Sequence, residues 1–332
     1  NEVTYSFVLD TIAPSISVSP ITETSVATIH LTGSASDNMT GVAMVKWAVT
    51  PATTATPGSA SWMWDWYEAG VVDQFWGETE EDYSFYVTFL EECQHTIWVK
   101  AIDAVGHVTY TFFNVNVDLY GPTVESVAVS PIPTDEDLDT FLTAELTSNK
   151  STIEAIQWWI DGSDPGQGMA TLVPVSPATM ATTMTVAISS DVIDALSEGD
   201  HTIYVRAIDS FGNWSTWDGS QTTPNLGYLN YATFIVDRSL MGIHLTSVPT
   251  DPTSNPVAAV SGFAQDSTVN IKALEYQFTG PSGPLTGWTG VTLDAPGYDQ
   301  LYEGFYFSQI LSENGTWTIA VSGHDDAYNY NE

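Results

Sequence analysis

One pattern occurs three times along this chain. It reads His95-Thr-Ile-Trp-Val-Lys-Ala-Ile-Asp103 followed by Gly106-His107, then His201-Thr-Ile-Tyr-Val-Arg-Ala-Ile-Asp209 followed by Gly212-Asn213, then Thr318-Ile-Ala-Val-Ser-Gly-His-Asp325 followed by Asn329. An apolar alternating run ending in Asp, with a Gly-containing turn, is a strand leading into a tight reversal. A pattern repeated at intervals of about 110 residues means tandem copies of one small domain. Three domains in 332 residues are each large enough for their own core.

The first two copies continue into a second alternating strand that ends in Asp, Thr109–Asp118 and Tyr231–Asp237, whereas the third reaches Glu332 before any such strand. A run of that kind stands at the other end, Val3-Thr-Tyr-Ser-Phe-Val-Leu-Asp10. Overlaying Asn331-Glu332 on Asn1-Glu2 places Asp325 and Asp10 fifteen positions apart, the spacing of Asp103 and Asp118. The expected organisation is therefore a donated last strand at 1–10, domains at 11–118 and 119–237, and a third domain at 238–332 that lacks its last strand. Two readings follow: separate subunits polymerise head to tail by inserting 3–10 into a neighbour's open groove, or the chain is one period of a longer covalent array. In either, Val3, Tyr5, Phe7 and Leu9 form the apolar comb of the inserted strand, and the partner is another copy of the same unit.

The remaining segments are short alternating or apolar runs bounded by Gly, Pro, Asn and Ser, and none reads as a long amphipathic helix. The fold class is all-β, with about seven strands per sandwich. Strands are expected at Val26–Ser34, Phe141–Thr147 and Ala258–Ala264, and aromatic-bearing ones at Val42–Val49, Ile153–Ile160 and Ile271–Phe278. Trp47, Trp158 and Tyr276 align in the latter and read as core residues. Strands at Ser84–Leu90, Met184–Ser189 and Phe305–Ile310 precede the three signatures, with a short turn or helix at Asp191–Leu196.

The net charge of −35 reflects scarcity of base more than abundance of acid, 6 Lys plus Arg against 41 Asp plus Glu. Such a surface repels nucleic acid and anionic lipid, and its carboxylates must be solvated, kept apart or neutralised by bound cations. An apolar content of 43% excludes a disordered acidic tail. The single Cys93 allows no internal disulfide and reads as inert, and no apolar run is long enough to span a membrane. Four sequons, at Asn38, Asn149, Asn213 and Asn314, fit an exported chain.

At the repeated Ala-Ile-Asp-Xaa-Xaa-Gly-Asn/His motifs, followed by a strand ending in Val-Asp and then Pro, the chain resembles the bacterial immunoglobulin-like domains of tandem surface proteins. The resemblance covers essentially the whole length and is weakest in the third copy. It implies a stalk, adhesin, surface layer or extracellular fibre, often calcium-stiffened, at the cell surface, and no catalysis. The residues agree: there is no Gly-Xaa-Ser-Xaa-Gly, no His-Glu-Xaa-Xaa-His and no phosphate-cradling loop.

In an immunoglobulin-like sandwich the loop after the second strand, the loop before the last strand and the incoming hinge meet at one pole. Three polar groups are thus expected at each joint: Asp10, Asp37 and Asp103; Asp118, Asn149 and Asp209; Asp237, Asp266 and Asp325, with Asn38 beside the first. Calcium, which takes 6–8 oxygens in flexible geometry, suits such loops better than zinc. The competing reading is that each Asp only caps its own turn through backbone N–H groups. Asp135-Glu-Asp137-Leu-Asp139 begins like an EF-hand loop but has Thr140 and Leu146 where Gly and Glu are required. The insert bearing Trp62, Trp64, Trp66 and Trp76 reads either as contact or core packing, or as a platform for a cell-surface glycan, which makes an adhesin stalk or glycan-binding module the alternative function.

Overall fold

The computed structural model describes residues 3–51, 65–134, 138–215, 230–298 and 300–331. Trp62, Trp64 and Asp135–Asp137 lie outside them.

Three β-sandwiches follow one another. In the second, a three-stranded sheet runs Thr123–Ser130, Thr140–Thr147, Ala181–Ile188, and faces a four-stranded sheet ordered Thr171–Thr179, Ile153–Ile160, Gly199–Asp209, Asn230–Val236. The first and third repeat this scheme, with Thr28–Ser36 and Val257–Gln265 central in one sheet and the signature strands Gln94–Asp103 and Thr318–Asp325 central in the other. Apart from the run at 3–10, the expected strands are present, with ends shifted by no more than four residues, and the one helix among the described residues, Ser190–Asp194, falls in the segment expected as a turn or short helix. This is the layered immunoglobulin-like arrangement that the period-2 patterning requires, apolar residues of both sheets facing inward.

Each sandwich has its own core. Trp158 and Tyr276 are buried in theirs, and Trp47 packs half-buried on its own, stacked on Phe85 at 5.2 Å. The signature strands differ in what covers them. Ile97 and Val99 in the first, and Ile203 and Val205 in the second, are fully buried, but the corresponding Ile319 and Val321 are only half-buried. The reason is the last strand. Val108–Val117 pairs the first signature strand from Gln94 to Ile102 and Asn230–Val236 pairs the second from Gly199 to Val205, whereas in the third domain Tyr330–Asn331 pairs only Gly323 and His324. Thr318–Ser322 therefore presents an edge with no strand partner among the described residues. Residues 3–9 form no strand, and Val3, Tyr5, Phe7 and Leu9 are exposed at 90%, 87%, 76% and 71%.

Every aromatic-bearing strand carries a β-bulge at its start, between Val42 and Met44, Ile153 and Ala155, and Ile271 and Ala273. The residues on the other side of the ladder are Asp103, Asp209 and Asp325. A bulge bends the strand and re-aims its neighbours, so the same irregularity fixes the approach to the pole in all three domains.

The hinge of the second domain is built tightly. A Cβ on Gly121 would lie 2.4 Å from the Trp214 backbone carbon and 2.5 Å from its carbonyl oxygen. Neither can give without moving the loop after the signature strand. Gly121→Ala is expected to lower the stability of the second domain by about 1–3 kcal/mol, read as the shift of its unfolding midpoint in urea. An unchanged midpoint would mean that the hinge does not rest on this loop.

Candidate metal centres at the domain joints

Each signature Asp ends its strand and then caps the turn that follows. Asp103 Oδ1 accepts N–H groups from Val105, Gly106 and His107 at 2.9, 2.6 and 2.9 Å. Asp209 Oδ1 accepts from Phe211 and Asn213, and Asp325 Oδ1 from Ala327 and Asn329, all at 2.8–3.0 Å. The turn-cap role is therefore real, and it consumes one oxygen. What the other oxygen does separates the three joints.

At the third joint, carboxylate oxygens of Asp237, Asp266 and Asp325 lie within 4.8 Å of one another. Asp266 Oδ1 caps its own loop through Thr268 and Val269, and Asp237 Oδ1 takes the Ser239 hydroxyl at 2.6 Å. Asp266 Oδ2 and Asp325 Oδ2 are buried with no hydrogen-bond partner. Asn329 Nδ2 holds the Asp237 carbonyl at 3.1 Å, tying the loop to the hinge. The bases beside these residues in sequence meet other acids, Lys272 pairing Asp326 at 2.9 Å and Arg238 meeting Glu198 at 3.8 Å. Two full charges at this separation repel by about 3–4 kcal/mol at an effective dielectric near 20. Burial, reinforced by Asp266 and Asp325, accordingly pushes the Asp237 carboxyl up to about 6, and burial also raises that of Asp325.

The second joint brings no three such groups within 4.8 Å among the described residues, but it buries carboxylates of the same origin. Asp118 and Asp209 are both buried, Asp118 Oδ2 has no partner, and Asn213 Nδ2 holds the Asp118 carbonyl at 3.0 Å. Burial first, then the Asp118 charge, raises the Asp209 carboxyl. Glu92, which the motif reading missed, joins here: its Oε1 accepts Leu119 N–H at 2.8 Å, and burial followed by Asp118 raises its carboxyl. The sequence carried a signal for it, since Glu92 and Glu198 both stand eleven positions before a signature Asp, and Glu198 likewise accepts the N–H of Arg238, the residue after Asp237. Asn149 is exposed and lines, with Glu92, Asp118 and Lys150, a cavity of about 20 Å³, room for one water-sized occupant.

The first joint is closed by protein groups. The trio within 4.8 Å here is Asp10, Asp103 and His107. Asp103 Oδ2 meets His107 Nδ1 at 2.8 Å, and Asp10 Oδ2 accepts the Thr40 hydroxyl at 2.6 Å. Asp37 stays outside the trio, its Oδ1 taking N–H groups from Met39, Thr40 and Gly41. Those bonds hold its carboxyl below the usual range, and the groups around Asp103 do the same there against the opposing effect of burial. Asn38 is exposed in the loop that Asp37 caps.

The donor set fits a hard divalent cation at the second and third joints: buried carboxylate oxygens lacking any donor, backbone carbonyls beside them, and no thiolate or imidazole. At the first joint the same oxygens already have donors. Of the tryptophan insert, Trp66 stands near Tyr110, and Trp76 packs on the first core.

No family model and no curated protein matches this chain. Among solved structures, one described as structural insight into host cell surface retention of a 1.5-MDa bacterial ice-binding adhesin aligns over 98% of this chain and 95% of its own, at 13% identity and a TM-score of 0.40. A tetra-tandem repeat in the extending region of a large adhesion protein aligns over 96% and 71%, at 17% identity and 0.29. A complex of Dpr2 Ig1-Ig2 with DIP-Theta Ig1-Ig3 aligns over 96% and 97%, at 10% and 0.29. At these scores the likenesses carry no functional argument, and the fold rests on the chain's own sheets.

The raised Asp237 carboxyl sets a pH dependence. Between about pH 4 and pH 6 the folded protein holds a proton that the unfolded chain has released, so in chelator the third domain loses stability as pH rises through this window, by up to about 3 kcal/mol. Scanning calorimetry from pH 4 to 7 should show its transition falling in chelator, and falling less steeply in calcium or in Asp237→Asn. A chelator profile that rises with pH would contradict the assignment.

Proposed function

We propose that this chain is a non-enzymatic structural element of an extracellular rod or fibre, its sandwiches locked in line by calcium at the second and third joints. The observation that carries this reading is the set of buried, donor-less oxygens on Asp118, Asp266 and Asp325. Each lies at a pole where an incoming hinge meets the loops of the next sandwich, so a cation there would tie two domains together as well as two loops. With dissociation constants of roughly 10⁻⁴–10⁻³ M, millimolar calcium would stabilise each ordered joint by about 0.5–2 kcal/mol. That suffices outside a cell, and six basic residues could not supply the same neutralisation.

The half-covered signature strand of the third domain supports head-to-tail continuation. Counting back from the hinge Asp, Leu9 and Phe7 correspond to Val117 and Val115 in the first closing strand and to Val236 and Phe234 in the second, all four of which are buried. Segment 3–9 of an equivalent unit, whether a separate subunit or the next period of a longer chain, would cover Ile319 and Val321 by adding the missing strand. Such a unit belongs at a cell surface or in a stalk, and among the described residues no helix is long and apolar enough to cross a membrane.

Electron microscopy of the protein before and after chelation tests both parts. Rods repeating every three domain lengths, which soften or fall apart in chelator, are expected. Removing residues 1–10 should leave short units that no longer join. Short rods indifferent to chelator would contradict the calcium joints, and fibres formed by the truncated chain would contradict strand donation.

A further inference from the structure

In a chain with 41 acids and 6 bases, every base could stand beside an acid. Arg206 pairs Asp164 at 3.0 Å, Arg238 meets Glu198 at 3.8 Å, and Lys272 pairs Asp326. Among the described residues Lys46, Lys100 and Lys150 make no ion pair; Lys150 is exposed, whereas Lys46 and Lys100 are direct cross-strand partners on the outer face of the first domain's five-stranded sheet, with Glu68 in register with Lys46 on its other side. Like charges directly opposite one another weaken a sheet. Both side chains are half-buried, and burial together with Lys46 pulls the Lys100 ammonium down. Aromatic rings surround the pair. The Lys100 ammonium lies 4.1 Å from the Trp66 ring centre, Tyr110 is its register partner on the next strand, and Phe112 lies beside Trp98 at 4.6 Å while remaining 57% exposed.

We infer that this face binds an acidic polysaccharide, one whose pyranose rings carry carboxylates. A uronate would set its carboxylate between the two ammonium groups, relieving their repulsion through charge-assisted hydrogen bonds. Its apolar ring face would lie on Phe112 or Tyr110, as sugars do on exposed aromatics. The rings decide between this occupant and the acidic flank of a second copy: a flat carboxylate-bearing protein surface would meet the lysines but would not need projecting aromatics. The inference sharpens the glycan reading of the tryptophan insert, and it does not depend on the calcium joints.

Calorimetric titration of the full chain with tetragalacturonate, and with maltotetraose as the neutral control, tests it. Binding of the acidic oligomer at least about tenfold tighter than the neutral one is expected, falling at least about tenfold in the Lys46→Gln, Lys100→Gln double variant, which keeps both aliphatic stems. Phe112→Ala should weaken it separately. The affinity of the unaltered protein should also drop with added salt, a readout that needs no variant to fold. No binding, equal binding of both oligomers, an unchanged affinity in the double variant, or binding that vanishes in chelator because calcium bridged the carboxylates would each overturn the proposal. Sedimentation velocity showing self-association that the double variant abolishes, without sugar binding, would assign the face to a second copy instead.

Discussion

A carboxylate has two oxygens, and at these joints they are divided between two tasks. One closes the turn after the signature strand by collecting backbone N–H groups, bonds that a left-handed or tight loop needs regardless of any ligand. The other points across the pole toward the incoming hinge. Because the chain has almost no basic residues, that second oxygen is left to a hydroxyl, an amide, an imidazole, a proton or a cation. Domain order, hinge length and bulge position all converge on this one unmet requirement.

The three joints answer it differently. At the first, His107 and Thr40 supply donors to Asp103 and Asp10, so the joint is complete in protein alone. At the second and third, Asn213 and Asn329 occupy the position of His107 and are spent on the hinge carbonyls. Each amide donates chiefly to the hinge carbonyl and reaches a carboxylate oxygen, Asp209 Oδ2 or Asp237 Oδ2, only at 3.4–3.5 Å, so Asp118 Oδ2, Asp266 Oδ2 and Asp325 Oδ2 keep no donor.

Much of this fold was legible before any coordinates. The period-2 alternation, the thrice-repeated Ala-Ile-Asp signature and the aligned Trp47, Trp158 and Tyr276 locate the central strands, because apolar residues buried on one face leave little freedom of register. Asp237, Asp266 and Asp325 were readable as a cluster from topology. Side-chain direction was not: Asp37 and Asp266 occupy equivalent loops, yet only the latter turns a bare oxygen to its neighbours. Glu92 was legible only by comparing repeats, through the eleven-position spacing it shares with Glu198, because the Leu119 N–H it receives lies across the joint. Lys46 and Lys100, 54 positions apart, become neighbours only through strand register, so their pairing is invisible to composition.

A structure determined in millimolar calcium tests the central claim most directly. The account predicts an ion at the third joint with 6–8 oxygens at 2.3–2.6 Å, Asp266 Oδ2 and Asp325 Oδ2 among them, and a second ion on Asp118 Oδ2. Carboxylates that share protons or bind only water at both joints, with calcium present, would contradict it.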